Sequence, residues 1–230
     1  MKSRAGIRVV AFATILAAIL IIAATPAAMA ADQEDAQGIV DKSRVTLSSF
    51  MRDKDYEWLR GHLKDAKGVL IYPQVLKAGF IFGGSGGTGV LLTRDSKTGE
   101  WSDPAFYTLG SVSFGLQIGG EAAEVVLLVM SQKGVDSLLA SKFKLGGDTS
   151  IALGPVGTGA KSDVTADFIS FAKSKGLYAG LNLDGSYVDV RDSLNKAYYG
   201  KDASPVVIIV KQSVGNKGAI PLREDLKKAR

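Results

Sequence analysis

The sequence predicts an α+β protein: a strongly curved antiparallel sheet or barrel-like core, with helices mainly at the N- and C-terminal ends. Three observations carry this prediction. Between Lys67 and Val190, short β-branched and aromatic runs follow one another, separated by turn signals such as Asp95-Ser96-Lys97-Thr98-Gly99 and Asp184-Gly185. No strand alternates with a helix of crossover length, so the rhythm of a parallel βαβ sheet is missing. Twenty-six of the 27 glycines follow residue 30, about twice the usual share, and they are spread among the strands. Glycine in that setting marks tight turns, bulges and curvature, which leads to a closed or nearly closed barrel.

The elements follow in order. Asp32 to Asp35 is a polar start, expected to fray. Ala36, Val40, Leu47, Phe50 and Met51 fall on one helical face, and Tyr56, Leu59 and Leu63 continue at spacings of three and four, which gives two helices broken near Asp53-Lys54-Asp55. Strands are expected at Val69–Tyr72, stopped by Pro73, and at Gly79–Phe82 and Val90–Thr93 on either side of a glycine-rich turn. Phe106–Leu109, Val112–Ile118 and Glu124–Met130 read as three more strands, and Gly134–Ser141 as a short helix. Lys142–Leu145, Thr149–Leu153, Val164–Ala172, Leu177–Leu183 and Tyr187–Val190 complete the sheet. Asp192–Tyr199 reads as a helix ended by Gly200, a natural C-cap. Ser204–Val210 is ambiguous: Ser-Pro starts helices, whereas Val-Val-Ile-Ile-Val prefers strand. Leu222–Lys228 is a short terminal helix, basic at its end as the dipole favours.

The first thirty residues have a different character. Lys2, Arg4 and Arg8 precede the apolar run Val9–Ala24, and Ala28-Met29-Ala30 supplies a small-residue cleavage pattern. This is the layout of a signal peptide cleaved after Ala30, and it points to a periplasmic protein, soluble or peripheral on a membrane. The rival is an uncleaved anchor, but the run is shorter than the roughly 20 residues that span a bilayer. The expected organisation is a signal peptide over 1–30 and one domain over 31–230. That domain has helices over 36–66, a β-rich core over 67–190, and a helical or irregular end over 191–230.

Composition narrows the chemistry. The absence of cysteine removes disulfides, thiol catalysis and cysteine-ligated metals, and the lone histidine, His62, cannot build a multi-histidine zinc site. His62 is expected on an exposed helical surface. The net charge of +5 falls to about +2 without Lys2, Arg4 and Arg8, too mild for a nucleic-acid partner. Gly84-Ser85-Gly86-Gly87-Thr88-Gly89 matches the dinucleotide fingerprint in form, but a strand follows it where the fingerprint requires a helix N-terminus. No nucleotide and no other cofactor is expected. The carboxylates Asp103, Glu121, Glu124, Asp163, Asp167, Asp184, Asp189 and Asp192 are scattered, and no spacing singles out a catalytic pair. The reading is therefore non-enzymatic, with no catalytic or metal residues.

Two basic clusters stand out. Lys142-Phe143-Lys144 alternates charge and aromatic, so both lysines share a strand face opposite Phe143. Lys173-Ser174-Lys175 adjoins Gly176-Leu177-Tyr178. Lys142, Lys144, Lys173 and Lys175 are the candidate lipid-binding residues, because a lysine near an anionic surface contributes about 1 kcal/mol. The plainer alternative for each cluster is a solvated face.

A set of short strings recurs in order. Lys67-Gly68-Val69-Leu70-Ile71-Tyr72-Pro73 and Gly83–Gly89 come first, then Trp101-Ser102-Asp103-Pro104-Ala105 and Ser113-Phe114-Gly115-Leu116-Gln117-Ile118-Gly119. Leu145-Gly146, Gly154-Pro155-Val156-Gly157, Ser174–Gly180 and Asn195-Lys196-Ala197-Tyr198-Tyr199-Gly200 follow. From about Val45 to Gly200 the chain resembles the SYLF domain, a lipid-binding family of bacteria and eukaryotes whose eukaryotic members are associated with phosphoinositide membranes and, in one fungal branch, with actin. The resemblance implies affinity for anionic phospholipid or the membrane surface. Acids at Asp53, Asp55 and Glu57 oppose insertion of the preceding helix into a membrane. The alternative is a structural or interaction protein of the envelope that binds another protein or a cell-wall polymer.

Overall fold

The computed structural model describes residues 31–79, 82–114, 119–159, 164–175 and 183–229. The predicted signal peptide lies outside these. Helix α1 covers 31–52, a 3-10 turn covers Lys54–Tyr56, and α2 covers Glu57–His62. Four long strands follow: β1 (Gly68–Gly79), β2 (Phe82–Thr93), β3 (Ala105–Phe114) and β4 (Gly119–Val129). Then come α3 (Gln132–Leu139), β5 (Lys142–Lys144), β6 (Ile151–Leu153), β7 (Phe168–Lys175) and β8 (Tyr187–Val190). Helices α4 (Asp192–Tyr199) and α5 (Ile220–Lys228) close the chain. The eight strands form one sheet in the order β5-β8-β3-β2-β1-β4-β7-β6, antiparallel except for the β6–β7 pair.

Strand alternation splits the core in two. Val69, Ile71, Val90, Leu92, Phe106, Val126, Leu128, Ile169 and Phe171 point to one face and pack against α1, α2, α4 and α5. Their neighbours Leu70, Tyr72, Leu91, Tyr107, Val125, Leu127 and Phe168 point to the other. There they meet Leu138 of α3, Phe143 of β5, and Ile208 and Ile209. Both faces are buried, so the strands read as unbroken apolar runs. Each large side chain so removed from water contributes roughly 1.5–3 kcal/mol.

The sheet curls into an open half-barrel: the strong curvature that the glycine content predicts is present, and closure into a barrel is not reached. Phe143, on the first strand of the order, stacks on Phe168, on the seventh, with ring centroids 5.7 Å apart. The connection between β5 and β6 pairs Leu145 with Thr149. The curl therefore brings the two ends of the sheet toward each other while leaving it open.

Four strand expectations need correction. Phe106–Leu109 and the start of Val112–Ile118 are one strand, β3, and the strand expected from Val164 begins only at Phe168, as β7. Pro73 does not stop β1. The strand runs through it to Gly79, and the register against both β2 and β4 slips there. Proline has no N–H to give to a ladder, and a bulge is where a central strand tolerates it. The glycine tract is not a turn either: Gly83–Gly89 lie within β2, paired with β3 throughout and with β1 as far as Thr88, with Gly89 at the slip. The bulge explains the glycines. A Cβ on Gly87 would run into the Gln74 carbonyl, and one on Gly89 into the Ile71 carbonyl and the Tyr72 ring.

At the N-terminal end, 31–35 are helical where fraying was expected, and the break near Asp53 is present. The Asp53 carboxylate caps the 3-10 turn by accepting from the Asp55 N–H at 3.1 Å. The ambiguous 204–210 stretch is helical, a π turn over Val206–Val210. Helix α4 has the expected bounds and ends on Gly200 at φ 69°. The strands expected at Gly79–Phe82, Val112–Ile118 and Leu177–Leu183 lie partly outside the described residues.

Candidate functional site

Helix α1 turns Ala36, Val40, Leu47 and Phe50 into the core, and α5 does the same with Leu222 and Leu226. The opposite sides, Arg44, Val45, Ser48 and Arg52 on α1 and Asp225 and Lys228 on α5, therefore face outward. Between them lies a groove of about 950 Å³, which Lys173 and Asp53 also line. Arg44 pairs with Asp225 at 2.6 Å. Lys173 is held on several sides: Asp53 at 2.7 Å, the Ser49 carbonyl at 3.3 Å and the Ser49 hydroxyl at 3.1 Å. The rings of Phe50 and Tyr56 each lie 5.1 Å from its ammonium. The hydrogen bond from Lys173, with a second from the Asp55 N–H, holds the Asp53 carboxyl below its usual range.

Lys173 and Arg60, which donates to the Met51 and Asp53 carbonyls, satisfy the carbonyls that end α1. Arg52 and Lys228 pair with no described residue and are exposed. Four cations against two carboxylates line the groove, and these two are the ones free to meet a ligand. Sequence reasoning missed both. The helical period was the available signal, since it turns Arg44 and Arg52 away from the core.

A second cavity, of about 260 Å³, opens where α1 crosses the β1 bulge. Lys42, Val45, Thr46, Pro73, Gln74, Ala122, Ala123 and Glu124 line it. On the face of β4 that meets α1, the small Ala122 stands where Val126 and Leu128 fill the space farther along the strand. The Thr46 hydroxyl donates to Glu124 at 3.3 Å, so the buried polar groups satisfy each other. Val45, 66% exposed, lines both cavities.

The four predicted lysines do not converge. Lys142 and Lys144 lie on β5, the edge of the sheet, on the face opposite buried Phe143 as expected. Lys142 sits 3.8 Å from Asp189, and both ammoniums lie over the Tyr187 ring. Lys173 is five residues along β7 from Phe168, roughly 17 Å of strand. The side chain of Lys175 lies outside the described residues. His62 is half-buried and not fully exposed: it stacks on Trp58 at 3.7 Å, with Nδ1 2.7 Å from the Trp58 carbonyl. Asp163 lies outside the described residues. No helix among the described residues is long and apolar enough to cross a membrane.

A family model described as "Ysc84: Las17-binding protein actin regulator" matches residues 110–229. The chain belongs to this family, the SYLF family that its motifs resemble. Protein YSC84 of Saccharomyces cerevisiae is 35% identical over 156 residues, covering 64% of this chain and 32% of its own length. An SH3 domain-containing protein of Schizosaccharomyces pombe is 35% identical over 167 residues, 70% of this chain and 38% of its own. SH3 domain-containing YSC84-like protein 1 of Xenopus laevis is 32% identical over 142 residues, 60% of this chain and 42% of its own. This chain thus spans roughly a third to two fifths of these relatives. The family description names a binding protein and regulator. No solved structure matches.

Two of the SYLF motifs meet in the fold. Asn195 of the Asn-Lys-Ala-Tyr-Tyr-Gly string accepts from the Phe106 N–H at 2.9 Å, and the Tyr199 hydroxyl donates to the Pro104 carbonyl at 2.6 Å. Ser102 of the Trp-Ser-Asp-Pro string accepts from the Thr93 N–H at 3.0 Å. Asp103 lies 3.6 Å from Arg223 of α5, and burial pushes its carboxyl above the usual value against the opposing pull of that guanidinium. These family strings clamp α4 to β3, and α5 to the segment before it.

Proposed function

We propose that this protein is a non-enzymatic binding module that recognises anionic phospholipid, as a headgroup or as a membrane surface, in the periplasm after removal of residues 1–30. One observation carries the reading: the groove between α1 and α5 presents Arg52 and Lys228, unpaired among the described residues, beside the exposed aliphatic Val45. Unpaired cations next to apolar surface suit a phosphate set at an acyl boundary, and each cation near an anionic surface contributes about 1 kcal/mol. The edge lysines Lys142 and Lys144 are a second contact on the same reading. Membership of a family named for binding and regulation agrees with a module that binds.

The test is sedimentation with vesicles. The protein is expected to pellet with phosphatidylglycerol vesicles and not with phosphatidylcholine vesicles. The double change Arg52→Gln and Lys228→Gln is expected to lower affinity at least about tenfold, 1.4 kcal/mol, with the melting temperature kept. Equal binding to both vesicle types, or an inert double change, contradicts the proposal.

The family description supports a second reading, docking of a protein partner. Capture of an envelope protein by a variant that does not bind vesicles would favour it.

A further inference from the structure

Resting on the anionic-lipid reading, we infer that the groove and the smaller cavity form one site that takes a single monomeric amphiphile: an anionic phosphate head and one aliphatic chain. The two cavities share a wall residue, Val45, so they are adjacent across one turn of α1. They differ in chemistry. The larger offers Arg52, Lys228 and the Ser48 hydroxyl. The smaller offers the Ala122 methyl, the Pro73 ring and the Val45 side chain, with Lys42 and Gln74 at its exposed rim, while its Thr46 and Glu124 are engaged with each other.

Charge fixes which end of a ligand goes where. The groove sets four cations against Asp53 and Asp225, a net positive charge, whereas in the slot Lys42 is offset by Glu124, so the head occupies the groove and the tail the slot. Volume fixes how much tail fits. At about 260 Å³ the slot is smaller than the roughly 300–1,000 Å³ that holds a drug-sized ligand. It therefore accepts a narrow segment of one chain. Within that segment, each methylene taken from water multiplies affinity roughly fourfold. Beyond it, further methylenes stay in water and add nothing.

The test is calorimetry with lysophosphatidylglycerols of increasing chain length, each kept below its micelle-forming concentration, with glycerol phosphate as the head-only control and vesicles run in parallel. One-to-one binding is expected, tightening with chain length and then levelling off. Ala122→Leu fills the slot and is expected to weaken the longer-chain ligands about tenfold, while leaving glycerol phosphate unchanged. Should Ala122→Leu fail to fold, Val45→Asp, at an exposed position where the cavities meet, is expected to give the same loss. Vesicle binding without monomer binding overturns this inference and leaves the lipid reading standing. So does monomer binding that neither variant weakens, or affinity that climbs with chain length without levelling. Failure of both vesicles and monomers to bind removes the lipid reading and this inference together.

Discussion

Asp167 shows how one carboxylate ties separate segments. It accepts from the Ser131 hydroxyl that caps α3, from the N–H and hydroxyl of Ser150 at 2.9 Å each, and stands 3.7 Å from the Lys133 ammonium. The Ser131 bond, with those from Ser150, holds its carboxyl below the usual range. Asp167→Asn should cost about 1.5–3 kcal/mol, a fall in melting temperature of roughly 3–10 °C. A folded value below the unfolded one gives stability that is present above the ordinary carboxylate value and lost as pH falls through the lowered one. The gap between wild type and variant should therefore be constant at neutral pH and close below about pH 4. A gap that stays open in acid would contradict this role. The sequence singled out Lys173 as a basic residue beside an aromatic but carried no sign that it caps α1 through Ser49 and pairs with Asp53. Those partners lie more than a hundred positions away in the chain, and local pattern does not encode them.

Element by element, regular periodicity was readable and irregular backbone was not. Strand β8 and helix α4 have their predicted bounds because alternation, Asp184-Gly185 and Gly200 mark them locally. The bulge at Pro73 and the glycine strand β2 were misread because each makes sense only opposite the other. The glycines are needed where β2 passes the bulge, and single-strand patterning cannot see a neighbouring strand. Two substitutions separate the close-approach glycines from the rest. At Gly89 an added Cβ meets backbone, so Gly89→Ala should cost about 1–3 kcal/mol. At Gly86 the only neighbour is the Leu109 carbonyl at 3.6 Å. Gly86→Ala should be neutral or add up to about 1 kcal/mol. Denaturant midpoints measure both, and equal losses at the two positions would sink the bulge explanation.

At the level of the whole chain, the α+β class and the curled sheet followed from composition and turn spacing, which are summed properties and tolerate local misreadings. The groove did not, because it is made by two helices from opposite ends of the chain: Arg52 and Lys228 become neighbours only after folding. Export is a separate proposal. N-terminal sequencing of protein from the envelope fraction should begin at Ala31, and a start at Met1 would contradict cleavage. The central claim is that anionic lipid is met at the α1–α5 groove. The most direct measurement compares two double variants, Arg52→Gln with Lys228→Gln and Lys142→Gln with Lys144→Gln, on phosphatidylglycerol vesicles at low and high salt. Exposed charges are screened within about 8 Å at physiological ionic strength, so wild-type affinity should fall steeply as salt rises. The groove variant should lose at least about tenfold in affinity together with most of that salt dependence, and the edge variant should lose less. A groove variant that binds like wild type, with the salt dependence abolished only in the edge variant, would contradict the account.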